Sequence, residues 1–187
     1  RLCVRRLAES VKQPCSLNRL SNLIKATGTP CSPSTVMEYV RYLQESCLLI
    51  SIDNYVSKFV EKETIKKHYI VDNGLLHLFI NNPNTSLLEN LCAITLYKKY
   101  AKGLYYYNKN IEVDFYVPDE GLAVQASYQM SDGETIEREV KALVALHGLH
   151  PLKRAMIITY EDEGEIVRDG LRIEIKPAWK WVLEGRR

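Results

Sequence analysis

The sequence predicts a mixed α/β fold of the α+β type, with a helical N-terminal part and a strand-rich C-terminal part. Three amphipathic segments followed by β-type runs fill the first third of the chain, and the order helix, three strands, helix, strand comes later. The 187 residues are 46% hydrophobic and 26% charged, which argues against disorder. This length suffices for one large domain or two small ones.

The N-terminal part is predicted to contain three helices and a hairpin. The helical and β-type segments lie at 2–13, 17–26, 34–46, 48–52 and 55–60. Ser16 is the expected N-cap of the second helix, and Gly28 its end. The third helix carries an apolar stripe formed by Val36, Tyr39, Val40, Leu43 and Cys47. Three helices followed by a hairpin is the order of a winged helix–turn–helix, which we place at 1–68.

The third helix and the wing supply the candidate nucleic-acid contacts. These are Ser34, Thr35, Arg41, Lys58 and Lys62, with Lys66 and Lys67 following in the wing. Residues 1–68 hold 11 Lys and Arg against 6 Asp and Glu, a net charge of +5, whereas 69–187 hold 14 against 17, a net of −3. DNA recognition needs cations for the phosphates, and the third helix has one arginine and two glutamates. DNA and a protein therefore remain equally open as partners.

The C-terminal part, 69–187, is predicted as a second α/β domain. Its strand and helix segments lie at 69–71, 75–80, 86–101, 104–107, 111–117, 122–130, 134–147, 154–160, 171–175 and 177–183. Asp72 is the expected cap of the short helix at 75–80. The segment from 86 to 160 follows the order α-β-β-β-α-β.

The stretch from Ile111 to Tyr128 is predicted to be a β-hairpin with polar side chains at its centre. Alternation places Glu112 and Asp114 on one face of the first strand, opposite Val113 and Phe115. A Pro-Asp-Glu-Gly turn at 118–121 follows. Gln125 and Ser127 then share one face of the second strand.

Several short motifs, in order and over nearly the full length of the sequence, resemble those of a known family. They are S-P-S-T-V-x-x-Y at 32–39, Y-I-V-D-N-G-L at 69–75, L-L-E-N at 87–90, Y-Y-Y-N at 105–108, E-V-D-F at 112–115, V-Q-A-S-Y at 124–128 and R-E-V-K-A-L at 138–143. The chain resembles the C-terminal domain that follows the ATPase module of bacterial and archaeal AAA-type ATPases. Its second part resembles the restriction-endonuclease-like, PD-(D/E)xK-type, fold. The resemblance implies an N-terminal ATPase module as partner. No G-x-x-x-x-G-K-[ST] occurs here, so we do not expect ATP hydrolysis in this chain.

The resemblance also implies where a nuclease site would lie. Glu89 matches the helix acid, Asp114 the central metal ligand, Gln125 the second acid and Ser127 the lysine. In an active enzyme Asp114 and Glu89 would bind Mg²⁺, which activates water and neutralises the scissile phosphate. Gln125 brings no charge and Ser127 no cation, so we interpret the site as degenerate and the chain as a binding or effector region that needs no cofactor. The alternative is a Mg²⁺-dependent nuclease with a relocated lysine.

Lys141, on the helix that follows the hairpin, is the candidate for that relocated lysine, and Arg138 is similarly placed. An ordinary hydrogen-bonded pair of Asp114 and Gln125 in a sheet is the competing interpretation, and we give it the larger weight.

The remaining features point to a cytoplasmic protein. The five cysteines, at 3, 15, 31, 47 and 92, form no C-x-x-C pair, and we expect reduced, mostly buried thiols. The four histidines lack the spacing of zinc ligands. No apolar run approaches the length of a membrane-spanning helix, so we expect no membrane contact. The chain begins with Arg1 and is expected to be a fragment.

Overall fold

A computed structural model describes residues 2–81, 83–130 and 133–185 and has the mixed α/β character that the sequence predicts. The chain divides into two compact units, Arg1–Ile94 and Thr95–Arg187. The expected boundary between residues 68 and 69 lies inside a strand of the first unit, and the division falls within a long helix instead.

In the described residues, the first unit combines five short helices and three strands with the beginning of the long helix. The elements are α1 (Leu2–Glu9), β1 (Cys15–Ser16), α2 (Leu17–Lys25), α3 (Pro33–Glu45), β2 (Leu49–Asn54), α4 (Phe59–Thr64), β3 (Ile65–Ile70), α5 (Asn73–His77) and the start of α6 (Asn84–Tyr100). The strands lie in the order β1-β3-β2, and both pairings are antiparallel. The helices pack on this small sheet through buried residues such as Leu7, Leu20 and Val36.

Side-chain caps fix where several of these helices begin. The predicted cap Ser16 is confirmed, because its hydroxyl accepts from the backbone N–H of Arg19 at 3.1 Å. Asp72 is confirmed as the cap of α5 and accepts from the N–H of Leu75 at 2.7 Å. Helix α3 begins earlier than predicted, because Ser32 is its N-cap and Pro33 occupies the first turn.

The predicted strand at 55–60 is wrong. Residues 55–58 form a turn, and helix α4 follows, so the hairpin partner of β2 is β3, with Ile50 opposite Tyr69. The Glu61 carboxylate accepts from the backbone N–H of Lys58 at 3.3 Å, which favours a helix start here. Phe59 is 79% exposed, so its β-type side chain packs in no sheet.

The thiols are free, as predicted, and four of the five are buried: Cys3, Cys15, Cys31 and Cys92. Burial raises the pKa of Cys3 to about 11, with the neighbouring thiol of Cys31 adding to the effect. Cys47 is exposed, and so is Tyr39. The apolar stripe of α3 is therefore narrower than predicted, with Val36 and Val40 as its buried residues.

Within the described residues, the second unit contributes six strands that lie side by side in one sheet. Its elements after α6 are β4 (Tyr105–Asn108), β5 (Glu112–Val117), β6 (Leu122–Ala126), α7 (Gly133–Leu149), β7 (Arg154–Thr159), β8 (Gly164–Arg168), β9 (Leu171–Pro177) and α8 (Ala178–Glu184). The strand order is β4-β5-β6-β7-β9-β8. The pairs β6–β7 and β7–β9 are parallel, and the other pairs are antiparallel. The predicted order α-β-β-β-α-β is confirmed, whereas β8 was not predicted.

The turn between β5 and β6 forms at the predicted residues, 118–121, as a single 3₁₀ turn. Gly121 ends it with φ of +58°, in the left-handed region. A Cβ at this position would lie 3.1 Å from the backbone nitrogen of Lys153 and 3.2 Å from its Cγ. Glycine is therefore required here both for the backbone conformation and for the close approach of the chain.

The described part of the chain contains no helix with both the length and the apolar composition needed to cross a membrane.

Gly121→Ala should lower the free energy of unfolding by about 1–2 kcal/mol or more, because a left-handed alanine is strained and its methyl group meets Lys153. Gly28→Ala is the matched control: Gly28 also has a positive φ, of +83°, but its added Cβ would meet nothing within 4 Å. Urea unfolding of both variants separates the cost of the left-handed backbone from the cost of the contact with Lys153. Equal losses would show that the approach of Lys153 contributes nothing.

Candidate functional site

Strands β5 and β6 separate at the residues predicted to form the site, and side chains take over their hydrogen bonding. The paired residues run from Val117 with Leu122 to Phe115 with Val124. At the next position the carboxamide of Gln125 bridges to β5: its Oε1 accepts from the N–H of Asp114 at 2.8 Å, and its Nε2 donates to the carbonyl of Glu112 at 3.0 Å.

The carboxylate of Asp114 completes this exchange. Its Oδ2 accepts from the backbone N–H of Ala126 at 3.1 Å, so each strand supplies a side chain that binds the backbone of the other. The predicted alternation is confirmed over Glu112 to Phe115: Val113 and Phe115 are buried, Glu112 is exposed and Asp114 is half-buried. Asp114 and Gln125 thus form the polar pair that the sequence indicated, bonded through backbone groups.

Ser127, at the position of the lysine in the nuclease pattern, is also bonded to backbone. It is buried, and its hydroxyl donates to the carbonyl of Gln129 at 3.3 Å. Its N–H donates to the carbonyl of Ile158 on β7 at 2.9 Å. These bonds hold the chain as it leaves β6.

Lys141 lies in an ion-pair network on the exposed side of α7. Its Nζ is 3.4 Å from Glu137 Oε1, and its side chain is 71% exposed. Arg168 binds the same carboxylate through both of its terminal nitrogens at 3.2 Å. The structure therefore places the proposed relocated lysine with Glu137.

A carboxylate that the sequence analysis missed lies close to the Asp114 pair. Glu139 of α7 is 7% exposed and forms a 2.6 Å ion pair with Arg138. Burial raises the pKa of the Glu139 carboxyl; Arg138 opposes this rise, and the negative charge of Asp114 adds to it. The sequence carried one signal, since Glu139 lies three residues after Ile136 and four before Leu143, within the apolar stripe of its helix.

Glu89, the other predicted acid, belongs to the first unit and forms a buried ion pair there. Its Oε1 lies 3.5 Å from Lys67 Nζ and accepts from the hydroxyl of Tyr69 at 2.9 Å. Lys67 and Tyr69 are fully buried. They stand two residues apart on β3, so they share the face that packs on α6.

The neighbouring Asn90 binds β3 through its carboxamide. Asn90 Oδ1 accepts from the N–H of Ile70 at 2.9 Å, and Nδ2 donates to the carbonyl of the same residue at 2.7 Å. Asn90 Nδ2 also donates to Asn73 Oδ1, and Asn73 Nδ2 donates to the carbonyl of Leu87. The motifs L-L-E-N and Y-I-V-D-N-G-L are therefore joined by side-chain hydrogen bonds.

The predicted nucleic-acid contacts of α3 already take part in local interactions. The hydroxyls of Ser34 and Thr35 lie 2.7 Å and 2.8 Å from that of the N-cap Ser32. The guanidinium of Arg41 is 3.6 Å from the Glu45 carboxylate and 5.3 Å from the centre of the Tyr42 ring.

The lysines of the wing differ in exposure. Lys58 is exposed and Lys62 half-buried. Lys66 forms a 2.7 Å ion pair with Asp53, and Lys67 is the buried partner of Glu89. Lys67, which the sequence analysis placed in the wing, therefore faces the helix packed on its strand.

Two of the predicted site residues, Asp114 and Gln125, bind backbone groups through their side chains. Magnesium binding in proteins relies on carboxylate oxygens, and Gln125 uses its amide oxygen and nitrogen on backbone groups. In residues 2–81, 83–130 and 133–185, no group of three or more His, Cys, Asp and Glu side chains is arranged to hold a metal ion.

The chain is similar to a protein of Methanocaldococcus jannaschii described as "Uncharacterized protein MJ1544". The two are 31% identical over 183 residues, which cover 90% of this chain and 40% of the archaeal protein. The chain thus spans about two fifths of the length of this relative. No family model matches the chain. No solved structure matches it.

Lys67→Met should lower the free energy of unfolding by about 3–5 kcal/mol, because it removes the cation beside the buried carboxylate of Glu89. The double variant Lys67→Met/Glu89→Gln should recover most of that loss, since its glutamine can still accept from Tyr69. Urea unfolding of both variants and of the single variant Glu89→Gln measures the coupling. Additive losses would show that Lys67 and Glu89 do not act as a pair.

Glu139→Gln should change how stability depends on pH. The folded-state pKa of Glu139 is raised above the ordinary value of 4.5, so its favourable contribution is present at low pH and is lost as the pH rises through the folded pKa. The glutamine variant should therefore gain stability relative to the natural protein between about pH 4 and about pH 7. Urea unfolding at both pH values measures this.

Glu137→Gln is the control of opposite sign, because Arg168 and Lys141 lower the pKa of Glu137. This variant should lose stability relative to the natural protein over the same rise in pH. A shift in the same direction for both variants would contradict the assignment of a raised pKa to Glu139.

Proposed function

We propose that this chain is a non-catalytic binding or effector region, joined in its full-length protein to an N-terminal AAA-type ATPase module. The observation that supports this proposal most directly is the hydrogen bonding of Gln125. Its carboxamide accepts from the N–H of Asp114 and donates to the carbonyl of Glu112. In a nuclease of the restriction-endonuclease type this position holds a metal-binding acid. Here it holds two strands together.

The surroundings of Asp114 support the absence of phosphodiester cleavage. Cleavage needs carboxylates for the metal and a cation for the developing charge. The hydroxyl of Ser127 is bonded to a backbone carbonyl, and Lys141 is paired with Glu137. Arg138, the other nearby cation, is paired with Glu139. We therefore propose that the second unit keeps a restriction-endonuclease-like fold with a degenerate site.

We propose that the first unit is a winged helix–turn–helix that contacts the partner. Helix, short strand, two helices, a strand, the short helix α4 and a further strand follow in that order, and the sheet order β1-β3-β2 supports this assignment. Helix α3 supports the binding role, because it buries Val36 and Val40 and exposes most of its remaining residues. DNA and a protein are the two classes of partner for such a helix.

One observation supports the attachment to a further module. The archaeal relative is longer than the region it shares with this chain, because that region covers 40% of the relative.

Gln125→Glu distinguishes a strand-bridging residue from a metal ligand. The glutamate keeps an acceptor for Asp114 N–H but cannot, when ionised, donate to the carbonyl of Glu112. We expect the free energy of unfolding to fall by about 1–3 kcal/mol, with no recovery when Mg²⁺ is added. Urea unfolding with and without MgCl₂ measures this, and a plasmid-nicking assay with Mg²⁺ or Mn²⁺ should show no cleavage.

Gln129→Glu is the matched control, because Gln129 is exposed and the same charge is introduced nearby. It should leave stability almost unchanged. Recovery of Gln125→Glu by Mg²⁺ alone, or nicking by the natural protein that Asp114→Ala abolishes, would instead support the Mg²⁺-dependent nuclease.

A further inference from the structure

The outward face of α3 combines carboxylates with large apolar side chains. Its residues Glu38, Arg41, Tyr42 and Glu45 stand at the spacing i, i+3, i+4 and i+7, opposite the buried Val36 and Val40. At 100° per residue, Glu38 and Glu45 lie near the centre of this face, with Met37 and Tyr42 at its two sides. Met37 and Tyr42 are each 53% exposed.

The charge of this face is net negative, because α3 has two glutamates, one arginine and no lysine. Arg41 pairs with Glu45 one turn along and lies over the ring of Tyr42, so this ion pair leaves one net negative charge on the face. A helix that reads DNA carries cations for the phosphates that flank the groove. The net negative charge of α3 would instead repel those phosphates.

The apolar part of the face points to a protein surface. Tyrosine and methionine are enriched at protein interfaces, where their large side chains fill pockets between polar contacts. Charge complementarity then selects the partner, because carboxylates at the centre of the face favour cations opposite them.

We propose that α3 docks a basic amphipathic segment of a partner protein. Met37 and Tyr42 pack on the apolar side chains of that segment, and Glu38 and Glu45 bind its lysine or arginine side chains. This inference rests on the proposed binding function and names the class of partner for it.

The test uses the whole chain and two defined probes: an amphipathic helical Leu/Lys peptide of about 15 residues and its Leu/Glu counterpart. Backbone amide NMR shifts locate binding, and fluorescence anisotropy measures affinity. The Leu/Lys peptide should shift amides of α3, and Glu38→Lys/Glu45→Lys should weaken its binding about tenfold or more. The Leu/Glu peptide should bind more weakly to the natural protein.

Asp119→Lys/Glu120→Lys is the charge-matched control, because it makes the same change in net charge in an exposed turn of the second unit. It should leave binding of the Leu/Lys peptide within about twofold. Met37→Ala/Tyr42→Ala keeps every charge and should also weaken binding of the Leu/Lys peptide. It tests the proposal even if Glu38→Lys/Glu45→Lys does not fold.

A short DNA duplex forms the other arm, at about 50 mM and about 200 mM salt. Arg41→Ala should not weaken any duplex binding that the natural protein shows. Glu38→Lys/Glu45→Lys should increase duplex binding at the lower salt.

The inference is overturned if Arg41→Ala weakens duplex binding, or if the Leu/Lys peptide binds equally to the natural protein and to both lysine variants. It is also overturned if both lysine variants weaken that peptide to the same extent. The nicking assay tests Asp114 in the second unit and is independent of peptide binding. If the docking inference is overturned and no metal-dependent nicking is seen, the proposed non-catalytic function still stands.

Discussion

The second unit depends on how its central strands satisfy their backbone where they separate. Buried N–H and carbonyl groups must find partners, and past Phe115 and Val124 the chain meets this need with a side chain. The carboxamide of Gln125 offers one acceptor and one donor about as far apart as those of a peptide group, so it can replace a strand neighbour. An ionised carboxylate at this position would have the acceptor alone. The same chemistry that holds β5 and β6 together therefore conflicts with the charge that a catalytic metal needs.

The first unit solves an equivalent problem with Asn90, whose carboxamide binds both backbone groups of Ile70. Strand β1 reaches only Ile65 and Lys66 on that side of β3, so the end of the strand needs another partner. The adjacent Glu89 brings a buried charge that Lys67 balances and Tyr69 hydrogen-bonds. Such a pair adds little net stability over apolar packing, but removing either partner would leave an uncompensated buried charge. Residues that resemble parts of a catalytic pattern thus account for local structure in each unit.

Local chemistry in the sequence predicted most of the helices and strands, and contacts between residues distant in the sequence explain what it did not predict. The caps Ser16 and Asp72 were identified because capping involves residues three positions apart. Phe59 and Val60 have strand propensity, yet no strand faces them, and the capping interaction of Glu61 favours a helix. The alternation of polar and apolar residues identified Asp114 and Gln125 as a polar pair on neighbouring strands. The sequence could not show that Gln125 binds backbone, that Glu139 lies beside them, or that Lys67 reaches Glu89, since each contact joins separate elements.

The strand at the end of the second sheet limits how a partner can attach. Strand β8 is the last in the described order β4-β5-β6-β7-β9-β8, and four of its five residues are exposed. Its charged side chains form ion pairs with neighbouring elements, Arg168 with Glu137 of α7 and Glu165 with Arg172 of β9. Charged side chains on an edge strand disfavour its pairing with a strand of another chain. The rim of this sheet therefore resists fibre-like stacking of copies, and recognition by strand addition is disfavoured on this side of the molecule.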